Sequence, residues 1–221
     1  ADCKSANISG PGVDASGITI GTIAAVTGPV SGLFTGAEQG IESFANYVNA
    51  TQGGICGHPL HVDFQDGGTN CTQNENASQN LVSKVFAFVG TFSLYDNCGA
   101  TVLKQHPNTP DIHVALDPAA EPLSNHFDLE PGQLGYNSGP FAYYAKKYGS
   151  KVQHVGTIAA SLPSALAKQA AITGAAKSAG WKFVDSINEQ PTTGDFATDF
   201  QKMCGRDHIQ IFFTVTEDAQ N

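Results

Sequence analysis

Ser93 lies in a short loop of mixed character, Thr91-Phe92-Ser93-Leu94-Tyr95-Asp96-Asn97. A serine there can act as a nucleophile or as a hydrogen-bonding hydroxyl. The G-x-S-x-G turn that presents a nucleophilic serine above an α/β sheet does not surround it. The reading is therefore a hydroxyl that bonds a ligand or the backbone. Cys56, His58 and His61 carry metal-ligating atoms, but His58 and His61 would point to opposite faces of a strand. His106, His113, His126, His154 and His208 lack the H-E-x-x-H spacing of a zinc helix. No G-x-x-x-x-G-K-[ST] phosphate loop occurs, and GITIGTIA is not the G-x-G-x-x-G of a dinucleotide site. No catalytic residue, cofactor or metal is expected.

The remaining polar residues suggest binding. Loops expected at strand ends contain Asp66, Asp96, Asp117, Glu121, Glu217 and Asp218, and neither Lys nor Arg. An anion held there would depend on backbone N–H groups and helix N-termini alone. A neutral, zwitterionic or cationic small molecule fits better, with Phe34, Phe92 and Tyr95 supplying apolar or cation–π contact. Asp96 and Asp117 have a second reading as helix N-caps, because each precedes an expected helix.

Bulk composition narrows the partners. Net charge is −9 with 11 basic residues, and Arg206 is the only arginine. Nucleic acid and anionic membrane are poor partners for such a chain. Hydrophobic residues make up 41% and charged ones 14%, which suits a packed core. No apolar run approaches the roughly 20 residues that span a bilayer. The opening ADCKSANISGPG lacks a basic-then-apolar signal pattern and reads as the flexible start of a mature chain. Five cysteines without a C-x-x-C pair, in a low-charge chain rich in Asn, Ser, Thr and Gly, suggest an oxidising, extracytoplasmic setting.

Stepping along the chain gives the elements that must hold the loops. Ile18 begins an apolar, β-branched run that breaks at Thr27-Gly28-Pro29, with Gly32 beyond. A helix follows, with Ile41, Phe44, Ala45 and Val48 on one face. Leu60–Gln65 is a second strand and Thr72–Lys84 a second helix, with Ala77 and Leu81 one turn apart. Val85–Gly90 reads as a strand buried on both faces. A short helix at Cys98–Gln105 and a strand at Asp111–Leu116 complete the alternation. Such alternation indicates βαβ units and a parallel sheet, whose ligands sit beyond the carboxyl ends of the strands. The period lapses from Ser124 to Ser138, and the chain is divided accordingly: a first lobe over 1–123, a crossing over 124–138, a second lobe over 139–221.

In that second lobe three helix-like stretches each end at a glycine, Gly149, Gly180 and Gly205, with Lys146, Lys147, Lys177 and Lys202 nearby. Each leads into a strand, the last over Ile209–Thr214. A sheet of three strands whose next helix does not follow has a bare face, so the second lobe is expected to be incomplete.

The succession ITIGTIAAVTGPVSGLFTGAEQGIESFANYVNAT, then FVGTFS, then TTGDFATDFQKMCGRDHIQIFF resembles the type I periplasmic solute-binding proteins of ABC transporters. The nearest branch is that of the branched-chain amino-acid and amide receptors. The resemblance implies an α/β fold of two doubly wound, Rossmann-like lobes with parallel sheets. It also implies a chain considerably longer than this one. A small polar, amino-acid- or amide-like solute is trapped between the lobes by hinge closure, and the closed form docks on a membrane permease. A non-enzymatic, monomeric receptor in the periplasm or at the cell surface, with or without a lipid anchor, follows from it. The alternatives are an extracytoplasmic sensor domain and a hydrolase on a flavodoxin-like sheet.

Carried over position by position, the resemblance places Leu33 or Phe34 over the ligand as an apolar lid. The second loop contributes Thr91, Phe92, Ser93 and Tyr95, and Leu94 stands where the family often has a small hydroxyl. The third loop reads Asp117-Pro118-Ala119, without the hydroxyl pair that grips an α-amino acid. In the second lobe the corresponding loops run over 160–164 and 214–218, where Leu162 and Thr216 replace family aromatics. The resemblance also implies a Cys71–Cys98 disulfide and, as a second pair, Cys3 with Cys56. Cys204 would be free.

Overall fold

The computed structural model describes residues 9–28, 31–129 and 138–216. The chain divides into two compact units, Ala1–Pro131 and Gly132–Asn221.

The first unit holds strands β1 (Val13–Asp14), β2 (Gly17–Ala24), β3 (Leu60–Asp66), β4 (Ala87–Val89), β5 (Asp111–His113) and β6 (His126–Asp128). Its helices are α1 (Thr35–Gln52), α2 (Cys71–Leu81) and α3 (Asp96–Gln105). Strands β3-β2-β4-β5-β6 lie side by side and all parallel, and β1 adds a short antiparallel pair to the start of β2. The chain steps from β2 to β3 on one side, then crosses back to β4 on the other. That reversal opens a crevice at the carboxyl ends of β2 and β4, where sheets of this order hold ligands.

Strand β2 is buried on both faces because helices cover both. Ile18, Ile20 and Leu60 pack with Ile41 and Ala45 of α1. Ile23 and Phe88 pack with Ala77, Leu81, Val102 and Leu103 of α2 and α3. The inward stripe of α1 is Ile41, Ala45 and Val48. Phe44, expected on that stripe, is 54% exposed; the apolar face of α1 follows the i, i+4, i+7 spacing and leaves position i+3 outside. The helix ends at Gly53, whose φ of 68° is the left-handed conformation glycine adopts freely.

Two strands are not among those expected, the two-residue β1 and, more consequentially, β6. The stretch 124–138 contains β6, which pairs with β5 in the register Asp111↔His126, Ile112↔Phe127, His113↔Asp128. Polar residues face inward and Phe127 faces out, so the segment carries no apolar alternation.

The second unit holds α4 (Gly139–Tyr148), β7 (Val155–Ala160), α5 (Pro163–Ser178), β8 (Phe183–Glu189), α6 (Ala197–Phe200) and β9 (Ile211–Val215). Its sheet is parallel in the order β8-β7-β9. Phe141, Val152, Val155, Ala176 and Trp181 form its core, and the Trp181 indole N–H donates to the Phe141 carbonyl at 3.0 Å. Gly149 (φ 57°) and Gly180 (φ 85°) do end helical segments in positive φ. Gly205 does not: α6 runs into a π-helical turn, Gln201–Arg206, and the positive φ falls on His208.

Candidate functional site

Strands β2, β4 and β5 are parallel, so the loops that leave their carboxyl ends emerge on one edge of the first sheet. Those are the loops expected to carry the ligand groups, and the structure brings them together. Phe92 forms an isolated parallel bridge with Ala24. Its N–H donates to the Ile23 carbonyl at 2.8 Å, and its carbonyl accepts from Ala25 at 3.3 Å. The second loop thereby extends the β2–β4 pairing beyond the strands. The Phe34 and Phe92 rings meet edge to face with centroids 4.6 Å apart, which joins the first loop to the second. Leu33, Phe34, Phe92 and Tyr95 are half-buried, Pro118 likewise, and Ala119 is exposed. Burial raises the Tyr95 phenol above its ordinary range.

Four expected contact residues, Thr91, Ser93, Asp117 and Leu162, are buried. The Ser93 side chain is fully buried at 0% exposure, and its Oγ accepts the Tyr95 N–H at 3.2 Å. It shapes the loop, as a serine turn does. Thr91 is also buried. With Asn74, Ser78, Asp96 and Asp111 on one part and Ile23, Phe88 and Leu103 on the rest, it lines a cavity of about 20 Å³, room for a single water molecule. Leu162 is buried at the start of α5, packed as an apolar residue would be. Thr216 is half-buried and lines a groove of about 330 Å³ with Ile158, Phe196, Phe200, Phe212 and Thr214 on the second sheet. Glu217 and Asp218 lie outside the described residues.

The acids turn out to organise the loops. Asp66, the last residue of β3, accepts the N–H groups of Val26 at 3.1 Å, Thr27 at 3.4 Å and Gly68 at 2.8 Å, and the Thr27 hydroxyl. Burial alone would raise its pKa, but these donors outweigh it and hold the carboxyl below its ordinary value. Asp117 is turned onto its own loop, accepting the Ala119 N–H at 2.9 Å. Its carboxyl is raised by burial, partly offset by that bond, with the Asp96 charge adding to the rise.

Asp96 makes no capping bond in α3, whose N-cap is Tyr95. Instead its Oδ2 reaches across to the third loop and accepts the N–H of Leu116 at 2.6 Å and of Asp117 at 3.3 Å. Behind it stands a buried group that sequence spacing did not disclose. Asp111 takes the Nδ1 of His113 on one carboxylate oxygen and the Nδ1 of His126 on the other, both at 2.8 Å. The polar atoms of this trio lie within 4.8 Å of one another. Each Nδ1 is spent on a carboxylate oxygen, while the Nε2 atoms of both rings are buried without a hydrogen-bond partner among the described residues. His113 Nε2 lies 3.9 Å from Asp96 Oδ2, beyond hydrogen-bond reach but well within the range of charge. Burial disfavours the imidazolium, yet the bond to Asp111 and the charges of Asp111 and Asp96 prevail and lift the His113 pKa to about 9. Burial likewise opposes the Asp111 charge, and both imidazoles outweigh it, holding that carboxyl low.

A Cys71–Cys98 disulfide, Cα atoms 5.5 Å apart, ties the start of α2 to the first turn of α3 directly behind the second loop. Cys204 is free and exposed. Cys3 lies outside the described residues, and the pairing expected for it with Cys56 falls there too. His61, considered as a metal ligand, is engaged with the Ser16 carbonyl at 3.1 Å. Among the described residues no helix is long and apolar enough to cross a membrane.

The family model described as periplasmic binding protein matches residues 17–218. Solved structures share the fold at low identity. A solute-binding protein of an ABC transporter from Rhodopseudomonas palustris BisB5, in complex with 3,4-dihydroxybenzoic acid, is 17% identical with a TM-score of 0.73, over 93% of this chain and 56% of that one. A type 1 periplasmic binding protein from Bordetella pertussis Tohama I is 18% identical with a TM-score of 0.76, over 90% and 55%. A putative branched-chain amino acid ABC transporter protein from Silicibacter pomeroyi is 16% identical with a TM-score of 0.65, over 90% and 54%. The chain thus spans about half the length of these structures. No curated relative matches it.

Proposed function

We propose, for a chain that belongs to the periplasmic binding protein family, that it is part of an extracytoplasmic receptor that captures a small polar solute for an ABC transporter. The solute is neutral, zwitterionic or cationic, of amino-acid or amide type. The observation that carries this reading is the gathering of three loops at the point where strand order reverses, between β2 and β4. Their half-buried apolar surface is supplied by Leu33, Phe34, Phe92 and Tyr95, a composition suited to the body of a small ligand. The loops over 27–35, 91–97 and 116–122 contain no Lys or Arg, and Asp96 and Asp117 lie among them. That absence of fixed positive charge supports the solute class. Asp117-Pro118-Ala119 offers no hydroxyl pair, which favours an amide or a modified amino acid over an ordinary α-amino acid. A family of binding proteins supports a non-enzymatic role, delivery to a permease and an extracytoplasmic location.

Thermal-shift screening tests the reading. The panel comprises amino acids, amides, polyamines and, because related structures contain 3,4-dihydroxybenzoic acid and 4-hydroxybenzoate, aromatic acids. A ligand at 100 times its dissociation constant adds about 2.7 kcal/mol of stability. Stabilisation by zwitterions, amides or amines supports the proposal, and hits confined to anions overturn the solute class.

A further inference from the structure

We infer that Asp96 and His113 are positioning residues for the third loop: Asp96 holds the backbone of Leu116 and Asp117 in place, and His113 holds Asp96. Asp96 begins α3, immediately after the second loop, and its Oδ2 accepts two N–H groups from the segment that follows β5. One side chain therefore ties two loops together. A carboxylate accepting backbone donors makes charge-assisted bonds, stronger than neutral ones. The contact is buried, with Asp96 and Asp117 both among the residues hidden from solvent, so it is poorly screened.

A lone carboxylate in such a place is costly unless a positive charge accompanies it. His113 is the group that supplies one. It sits two residues beyond Asp111 on the same face of β5, its Nδ1 fixed by Asp111 and its Nε2 directed within 3.9 Å of Asp96. The groups that face it are Asp96 from α3, Asp111 from β5, and His126 and Asp128 from β6. The His126 ring lies 4.8 Å from the His113 ring, and Asp128 stands opposite His113 in the strand register. Neither α2 nor β4 brings a charged side chain to this cluster; Asn74 of α2 shares the small cavity with Asp96 and Asp111. With the Asp111 and Asp96 carboxylates beside it, His113 remains an imidazolium at neutral pH, in keeping with its raised pKa of about 9. Loss of that proton leaves the Asp96 and Asp111 carboxylates without the positive charge between them, and the Asp96 grip on the Leu116 and Asp117 amides slackens. On the solute-binding reading above, capture then weakens at alkaline pH, because one of the three loops is no longer held in place.

Nuclear magnetic resonance of the isotope-labelled 221-residue chain tests this without any solute, so a failure to find a ligand does not affect it. The Leu116 amide proton, bonded to a carboxylate, is expected downfield at pH 7. It should move upfield with the same midpoint as the His113 imidazole signals, near pH 9. In His113→Gln the Leu116 amide should lose its titration between pH 7 and 10. Asp96→Asn keeps an acceptor oxygen but removes the charge. It should shift the Leu116 amide upfield and lower the His113 midpoint by at least one pH unit. Should His113→Gln fail to fold, the wild-type and Asp96→Asn titrations decide. A Leu116 amide that stays still while His113 titrates, or that titrates unchanged in His113→Gln, overturns the proposal.

Discussion

Asp66 accepts both the backbone N–H and the side-chain hydroxyl of Thr27, so the last residue of β3 is bonded twice to a loop that leaves the neighbouring strand. With Val26 and Gly68 also donating to it, Asp66→Ala strips several amides of their acceptor at once. We expect a loss of about 1–3 kcal/mol in urea unfolding, with Asp66→Asn losing less because one acceptor remains. The Asp66 pKa is lowered in the fold, so its contribution is present above the ordinary value of 3.8 and fades as pH falls through the folded value. Acid unfolding of Asp66→Asn should therefore give a flatter profile than that of the wild type.

The Cys71–Cys98 bond spans 27 positions. Cross-linking a loop of that length should stabilise the chain by about 3 kcal/mol through the unfolded state. Cys71→Ser with Cys98→Ser, or full reduction, should lower the unfolding free energy by that order. Gly99 lies beside the bond, and a Cβ there would approach Ser78 Oγ to 2.7 Å and Asn74 Oδ1 to 2.9 Å. It also donates its N–H to Asn74 Oδ1 at 2.9 Å. Gly99→Ala should force α2 and α3 apart and destabilise even the oxidised protein, as read by its thermal midpoint.

His113 sets an alkaline limit. Its folded pKa, about 9, lies above the ordinary 6.5. The stabilisation it contributes is complete below pH 6.5 and is lost as pH rises through 9. The full difference is on the order of 3 kcal/mol. Urea unfolding at pH 6, 7.5 and 9.5 should show the decline in the wild type, and His113→Gln should show little slope over that window.

Phe92 and Ser93 are adjacent, yet substitutions should separate them. Phe92 is half-buried and stacked edge-on with Phe34. Phe92→Ala should weaken capture of any solute found by the screen more than tenfold, for roughly 1–2 kcal/mol of lost stability. Ser93→Ala removes a buried acceptor from the Tyr95 amide and should cost about 1 kcal/mol of stability. Isothermal titration beside urea unfolding separates the two effects.

The frame was legible where one physical pattern dominated. Strand β2 announces itself by β-branched residues, α1 by its stripe, and the loops by where strands stop. What stayed hidden depends on neighbours distant in sequence. Strand β6 is three residues long, presents His126 and Asp128 inward, and leaves Phe127 56% exposed, the reverse of an amphipathic signal. His113 and His126 meet only because β5 and β6 pair in parallel, whereas spacing rules for histidine ligands look along one helix. By sequence Asp96 reads as a helix cap or as a ligand contact. Its true partners, Leu116 and Asp117, lie 20 and 21 residues on. For Ser93 residue type leaves ligand and backbone both open as partners, and the course of the loop between Thr91 and Tyr95 decides for the backbone.

Asp66 and Asp96 both grip main chain, not the tips of the loops they hold. The residues that fix these loops are therefore not the ones at their tips. On the solute-binding reading proposed above, Leu33, Phe34, Pro118 and Ala119 can be randomised toward a new analyte while both aspartates stay untouched, and the loops keep their course.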